Sequence, residues 1–213
     1  MSLKIAHRGL SHNFKDNSRI AFEKAIEHNF DMIELDIQLC KDNEIVVYHD
    51  IYYKNKYINE YTGEQLKKMD FLLLDDFFDT VKDSSIKIFF DLKGSEEVFT
   101  KLIEQLEIRK DIDYTNIYIS SFNCLFNNKI QNCQLPIKRG LTTETLFDVN
   151  KFASLTEGLD FVCLHWTTLH KDIVQYCKNK NILVFSYTVK DNFILNHMRK
   201  FHVDGIVSNY FFE

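Results

Sequence analysis

The 213 residues carry a formal net charge of -5, with 45% hydrophobic and 27% charged residues. That balance fits a globular core, and its acidic sign offers no basic field for a phosphate backbone, so nucleic acid is excluded as a partner. The five cysteines (Cys40, Cys124, Cys133, Cys163 and Cys177) show no C-x-x-C spacing and read as reduced thiols, not as a disulfide framework or a zinc site.

Strands are predicted at residues 3–6, 32–39, 86–92, 117–121, 137–141, 161–164, 182–187 and 205–207. Helices are predicted between them, at 18–28, 64–81, 96–108, 124–131, 144–153, 171–179 and 192–201. Ala21, Phe22, Ala25 and Ile26 recur at helical spacing, as do Val98, Leu102, Ile103 and Leu106. One proline (Pro136) and six glycines leave no linker, so residues 1–213 are expected to form one domain. Eight strands with helices between them give the count of a closed (β/α)₈ TIM barrel. Residues 45–48 add a β-rich run too close to the second strand for a crossover helix. They are expected to return antiparallel as a hairpin, bringing His49-Asp50 back toward the C-terminal mouth of the barrel. The start of the chain lacks a signal peptide's apolar run, and no stretch approaches the ~20 apolar residues of a membrane span. The expectation is a cytoplasmic protein without stable membrane insertion.

Chemistry-bearing residues gather at the ends of these strands. In Ile33-Glu34-Leu35-Asp36-Ile37 the two carboxylates share one strand face. Under the helices they would be costly without partners, whereas inside the mouth they can share a divalent cation. A polar, exposed edge strand is the plainer alternative. Asp91 and Lys93 again share a face, as a metal ligand beside a phosphate contact or as an ion pair within one strand. His7 and His49 stand at strand ends, where one imidazole can accept a proton and the other donate one. Arg8 adds a permanent positive charge. His12, His28, His170, His197 and His202 are assigned structural or surface positions. Trp166, after His165, either contacts substrate or packs the barrel, and Phe77-Phe78 and Tyr210-Phe211-Phe212 read as helix–barrel packing.

The order His7-Arg8-Gly9, Asn17-Ser18, Asp31-Met32-Ile33-Glu34-Leu35-Asp36, His49-Asp50 resembles the N-terminal signature of glycerophosphodiester phosphodiesterases. Asp91-Leu92-Lys93, Ser121-Phe122 and Asp204-Gly205-Ile206-Val207 resemble later strand ends of the same family. The resemblance implies a TIM barrel, one divalent cation (Mg²⁺ or Ca²⁺, with Mn²⁺ a third candidate) held by Glu34, Asp36 and Asp91, and catalysis by His7 and His49. It implies substrate contacts from Arg8, Lys93 and Trp166, and hydrolysis of a small phosphodiester to glycerol 3-phosphate and an alcohol. The chain departs from the family pattern in having Asp91 for glutamate, Asp16-Asn17-Ser18 for Glu-Asn-Thr, Tyr187 for tryptophan, and a shortened insertion over residues 51–85. Its Asp91 strand also resembles the venom-type phospholipase D branch, which releases a cyclic phosphate. That enzyme and a non-catalytic glycerophosphodiester-binding barrel are the alternatives.

Overall fold

The computed structural model describes residues 2–109 and 112–212, apart from the side chains of Cys124, Asn127 and Asn128. The chain opens with β1 (Leu3–His7), α1 (Arg19–Glu27), β2 (Met32–Leu39) and β3 (Ile45–Val47). An insertion follows, made of β4 (Tyr52–Tyr53), β5 (Lys56–Tyr57), α2 (Gly63–Lys67) and β6 (Leu72–Leu73), and leads into α3 (Leu74–Val81). From there strand and helix alternate: β7 (Lys87–Leu92), α4 (Glu97–Ile108), β8 (Ile117–Ser120), α5 (Asn127–Gln131), β9 (Lys138–Thr143) and α6 (Val149–Thr156). The chain closes with β10 (Phe161–His165), α7 (Lys171–Lys180), β11 (Leu183–Val189), α8 (Asn192–Lys200) and β12 (Gly205–Ser208).

Eight of these strands pair in parallel in the order β1-β2-β7-β8-β9-β10-β11-β12, and β12 pairs back to β1. This is the closed TIM barrel expected from the alternation. Ile5, Met32, Phe89, Tyr118, Phe161, Phe185 and Val207 fill its interior. Glycine stands where a neighbouring ring needs the space: a Cβ at Gly140 would lie 2.4 Å from the Phe161 ring. The opposite strand faces pack under the helices, where Phe77 and Phe78 meet Phe90 and where Phe211 meets Phe30.

As predicted, β3 runs antiparallel to β2, with Ile37 opposite Val47. The predicted helix over 64–81 is instead two helices with a strand between them. A capping box between Thr62 and Gln65 starts α2, and Asp70 at φ +65° turns the chain after it. Leu73 then pairs with Val46, and the Asp76 carboxylate accepts the Leu73 N–H at the start of α3. Leu66, Phe71 and Leu73 pack with Cys40, Val46, Ile58 and Tyr61 in a small core of their own. Leu74, Phe77 and Val81 join the layer between barrel and helices. The helix predicted at 144–153 begins later, at Val149, behind the Asp148 cap. Cys40, Cys133, Cys163 and Cys177 are free thiols, and the reading of Cys124 falls outside the described side chains. Among the described residues, no helix is long and apolar enough to cross a membrane.

The turn after β1 depends on Gly9, at φ +79°, where a Cβ would lie 2.6 Å from the Ala21 carbonyl carbon. Gly9→Ala therefore combines a disfavoured backbone conformation with overpacking against main chain. The expected cost is roughly 2–3 kcal/mol, read in a thermal melt as a fall on the order of 5–10 °C. An unchanged melt would mean that the turn relaxes without resistance.

Candidate metal and acid–base site

Strand register assembles the site. The β1–β2 ladder sets His7 beside Glu34, and the β2–β7 ladder sets Asp36 beside Asp91. Because side chains alternate along a strand, these groups project into the mouth directly above the aromatic interior. One oxygen from each of Glu34, Asp36 and Asp91 lies within 4.8 Å of the other two, and all three residues are buried.

Two cations meet this triad. Lys93 Nζ lies 2.7 Å from Asp91 Oδ2 and 3.3 Å from Asp36 Oδ1. Arg8 has a left-handed backbone (φ +57°); its N–H donates to Glu34 Oε2 at 3.0 Å, and its Nε lies 3.0 Å from Asp36 Oδ2. Burial alone would raise Asp36, but Lys93 and Arg8 outweigh it and hold that carboxyl below its usual range. Glu34 goes the other way, pushed well above the usual carboxylate range by burial and by its neighbours Asp36 and Asp91. Burial and Asp36 likewise push Asp91 up to about 6, against the pull of Lys93.

Were all three carboxylates ionised, they would outnumber the two cations and leave a net negative cluster out of water, a cost relieved by the proton that Glu34 favours or by a further positive charge. Asp91 Oδ1 is buried and has no hydrogen-bond partner. An orphaned anionic oxygen in an all-oxygen triad fits a hard divalent cation, so the triad could hold a metal ion.

The histidines sit on different supports. His7 ends β1, its Nδ1 2.6 Å from Asn209 Oδ1, and burial beside Arg8 lowers its pKa to about 4. His49 follows the β3 hairpin with its side chain 40% exposed, and its Nδ1 lies 2.7 Å from Asp50 Oδ1. Both line a cavity of about 690 Å³ with the triad, Arg8 and Lys93. Across that cavity stand Phe122, His165, Trp166 and Tyr187. His165 meets the Tyr187 ring at 5.3 Å, Phe122 meets it at 5.7 Å, and the Tyr187 hydroxyl is buried without a partner. Trp166 both lines the cavity and packs on His197.

All eight site residues proposed from sequence thus border one cavity. Two supporting residues were missed. Asn17, buried at φ +52°, donates from Nδ2 to Asp36 Oδ2 at 2.9 Å, and Asn209 meets His7 from 202 positions away. Asn17 lay in the quoted motif but carries no chemistry of its own. Asn209 offered no sequence signal, because only barrel closure brings it to β1.

A closed parallel barrel with buried carboxylates, two cations and two histidines at its C-terminal mouth has them where TIM-barrel enzymes keep their active sites. The model of the Glycerophosphoryl diester phosphodiesterase family matches residues 7–211, and the chain belongs to that family of phosphoric diester hydrolases. A glycerophosphodiester phosphodiesterase of Caldanaerobacter subterraneus is 27% identical over 98% of this chain and 94% of its own length. The crystal structure of a glycerophosphodiester phosphodiesterase from Thermotoga maritima superposes with a TM-score of 0.83 at 25% identity, covering 98% of this chain and 95% of that one. An Oleispira antarctica phosphodiesterase, solved in complex with the product sn-glycerol-3-phosphate, superposes with a TM-score of 0.86 at 18% identity and shares the fold. That match covers 99% of this chain and 94% of the Oleispira chain.

Proposed function

We propose that the chain hydrolyses small glycerophosphodiesters to glycerol 3-phosphate and an alcohol, as one barrel domain over residues 1–213. In this reading Glu34, Asp36 and Asp91 hold a divalent cation, Mg²⁺ or Ca²⁺, and His7 and His49 form the acid–base pair. The carrying observation is the buried triad with an unpartnered Asp91 oxygen, in the same cavity as both imidazoles. When bound, the ion supplies Lewis-acid polarisation of a phosphoryl oxygen. Arg8 and Lys93 offset the negative charge that grows on the phosphoryl group, and Trp166 contacts the alcohol side of the substrate.

The surroundings of the two rings divide their roles. Asn209 Oδ1 can only accept, so Nδ1 of neutral His7 carries the proton and Nε2 is left as a bare acceptor. His7 is therefore the base toward the attacking oxygen. The Asp50 carboxylate accepts from His49 Nδ1–H and orients that ring, and His49 delivers its other proton to the departing alkoxide. Phosphorus NMR of a glycerophosphocholine reaction, with Mg²⁺ or Ca²⁺ and again with chelator, tests the reading. Glycerol 3-phosphate as the first product, lost with chelator, is expected. A cyclic phosphate would move the chain to the phospholipase D-like reading, and no turnover with any divalent ion would leave a binding barrel.

Ion affinity should depend on pH. Protons held on Glu34 and Asp91 must leave before those oxygens can ligate. A carboxyl whose folded pKa is raised keeps its proton below that value, so affinity climbs as pH rises through about 6, the Asp91 value. Calorimetric titration is expected to give roughly tenfold or more weaker binding near pH 5 than near pH 7.5, with proton release on binding. An affinity flat over that range would remove Asp91 and Glu34 from the ligand set.

A further inference from the structure

The mouth of the barrel is divided between two arcs of strands. His7, the triad and Lys93 come from β1, β2, β7 and the residue just past β7, whereas Phe122, Glu144, His165, Trp166 and Tyr187 come from near the C-terminal ends of β8, β9, β10 and β11. The second set lines the same cavity. Strand register brings it together. His165 stands beside Tyr187 in the β10–β11 ladder, and Thr143 beside Leu164 in the β9–β10 ladder, so Glu144 leaves β9 level with His165. The rings meet at steep angles, 70° between His165 and Tyr187 and 83° between Phe122 and Tyr187. They therefore wall a corner and do not stack as a layer.

Two charged side chains border this corner, Glu144 and Lys190. Among the described residues, neither takes part in an ion pair or a side-chain hydrogen bond. Of the two, Glu144 acts more strongly on the rings. Burial lowers the His165 pKa, and against it Glu144 pulls upward more than Lys190 pushes down. Burial raises the Tyr187 hydroxyl, Cys163 and then Glu144 add to that rise, and Lys190 has no part in it. The Phe122 face already holds a cation, with Lys93 Nζ 4.8 Å from its centroid, which leaves the Trp166 and Tyr187 rings for a ligand. Aromatic faces attract cations through their quadrupole, and a corner of rings beside a carboxylate suits a quaternary ammonium group, whose methyl groups pack on the rings while its charge is still felt.

We propose that Glu144 is a specificity-determining residue, which with the Trp166 and Tyr187 rings selects phosphodiesters whose alcohol bears a quaternary ammonium group. The proposal rests on the phosphodiesterase reading for the reaction, and on the corner alone for the binding. Trp166 is the single tryptophan of the chain, so its fluorescence reports a ligand in this corner without turnover. Titrated in chelator, the native chain is expected to bind glycerophosphocholine roughly tenfold more tightly than the neutral glycerophosphoglycerol. Glu144→Gln should cut that preference about threefold to tenfold, and Glu144→Asp, which keeps the charge, should retain most of it. Glu144 is exposed between β9 and α6, so both variants are expected to melt like the native chain. With Mg²⁺ the same preference should appear in kcat/KM and lie mainly in KM, since the ammonium group is remote from the reacting bonds. The proposal is overturned if the choline diester leaves Trp166 fluorescence unchanged, if the native chain binds both diesters equally, or if Glu144→Gln keeps the native preference. Intact preference in binding with no turnover of either diester would instead remove the phosphodiesterase reading and leave the ammonium site standing.

Discussion

Alanine at His7, or at His49, is expected to lower turnover of a natural glycerophosphodiester by roughly 10²–10⁴-fold, the range for removing a positioned acid or base. Substrate affinity should change little, since Arg8, Lys93 and the triad remain to hold the phosphate. The two variants should differ on an activated substrate. A p-nitrophenolate leaving group departs without a proton, so it should rescue the variant lacking the general acid and not the one lacking the base. From the rings' surroundings, His49→Ala is the variant expected to be rescued. The double variant should be far less impaired than the product of the two single losses, because groups that act as a unit are not additive. Near-native turnover by either single variant would overturn the two-histidine mechanism, and rescue of His7→Ala alone would exchange the roles.

Glu34→Gln is expected to abolish ion-dependent turnover without destabilising the barrel. Burial and two neighbouring carboxylates push Glu34 well above its ordinary range, so glutamine resembles the protonated side chain already favoured without an ion. Its amide oxygen can still accept the Arg8 N–H. Because the folded pKa is raised, Glu34 stabilises the ion-free fold at low pH, and that contribution is lost as pH rises through the folded value. In chelator near pH 7.5 the variant should therefore melt at or above the native chain. With ion at 100 times its dissociation constant, the native chain gains about 2.7 kcal/mol, a rise in melting temperature of roughly 5–10 °C at this chain length. The variant should lose most of that rise. A calorimetric scan showing an equal ion-induced shift in both would exclude Glu34 as a ligand, and a collapse of the ion-free melt would make it a structural residue.

Alternation alone showed that Glu34 and Asp36 share a face, and the apolar residues between them indicated that this face turns inward. The facing of Asp36 and Asp91 needed one further fact, the β2–β7 register, which depends on the packing of both strands and on no local signal. Barrel closure, which joins Asn209 to His7, is likewise a property of the whole ring. The helix misread over 64–81 has a local cause. Leu66, Phe71, Leu74, Phe77 and Phe78 keep a spacing compatible with one long helix, and the break falls at Asp70, with neither glycine nor proline to announce it. Glu144 was placed at the start of the helix predicted over 144–153. The structure leaves it in the loop before Asp148, where it borders the cavity.

The small core formed by Cys40, Val46, Ile58, Tyr61, Leu66, Phe71 and Leu73 gives the two histidines unequal foundations. His7 is built into a stave of the barrel and cannot shift without opening the ring. His49 stands on a bracket, tied to β2 where Gln38 donates to the Tyr48 and Asp50 carbonyls and braced on its outer side by the small core. Loosening the bracket, for instance with Leu66→Ala, would let one imidazole drift while the triad, the cations and the other imidazole keep their places. Proton delivery to the leaving alcohol could thus be retuned by remodelling some thirty residues, with the ring that holds the phosphate left as it is.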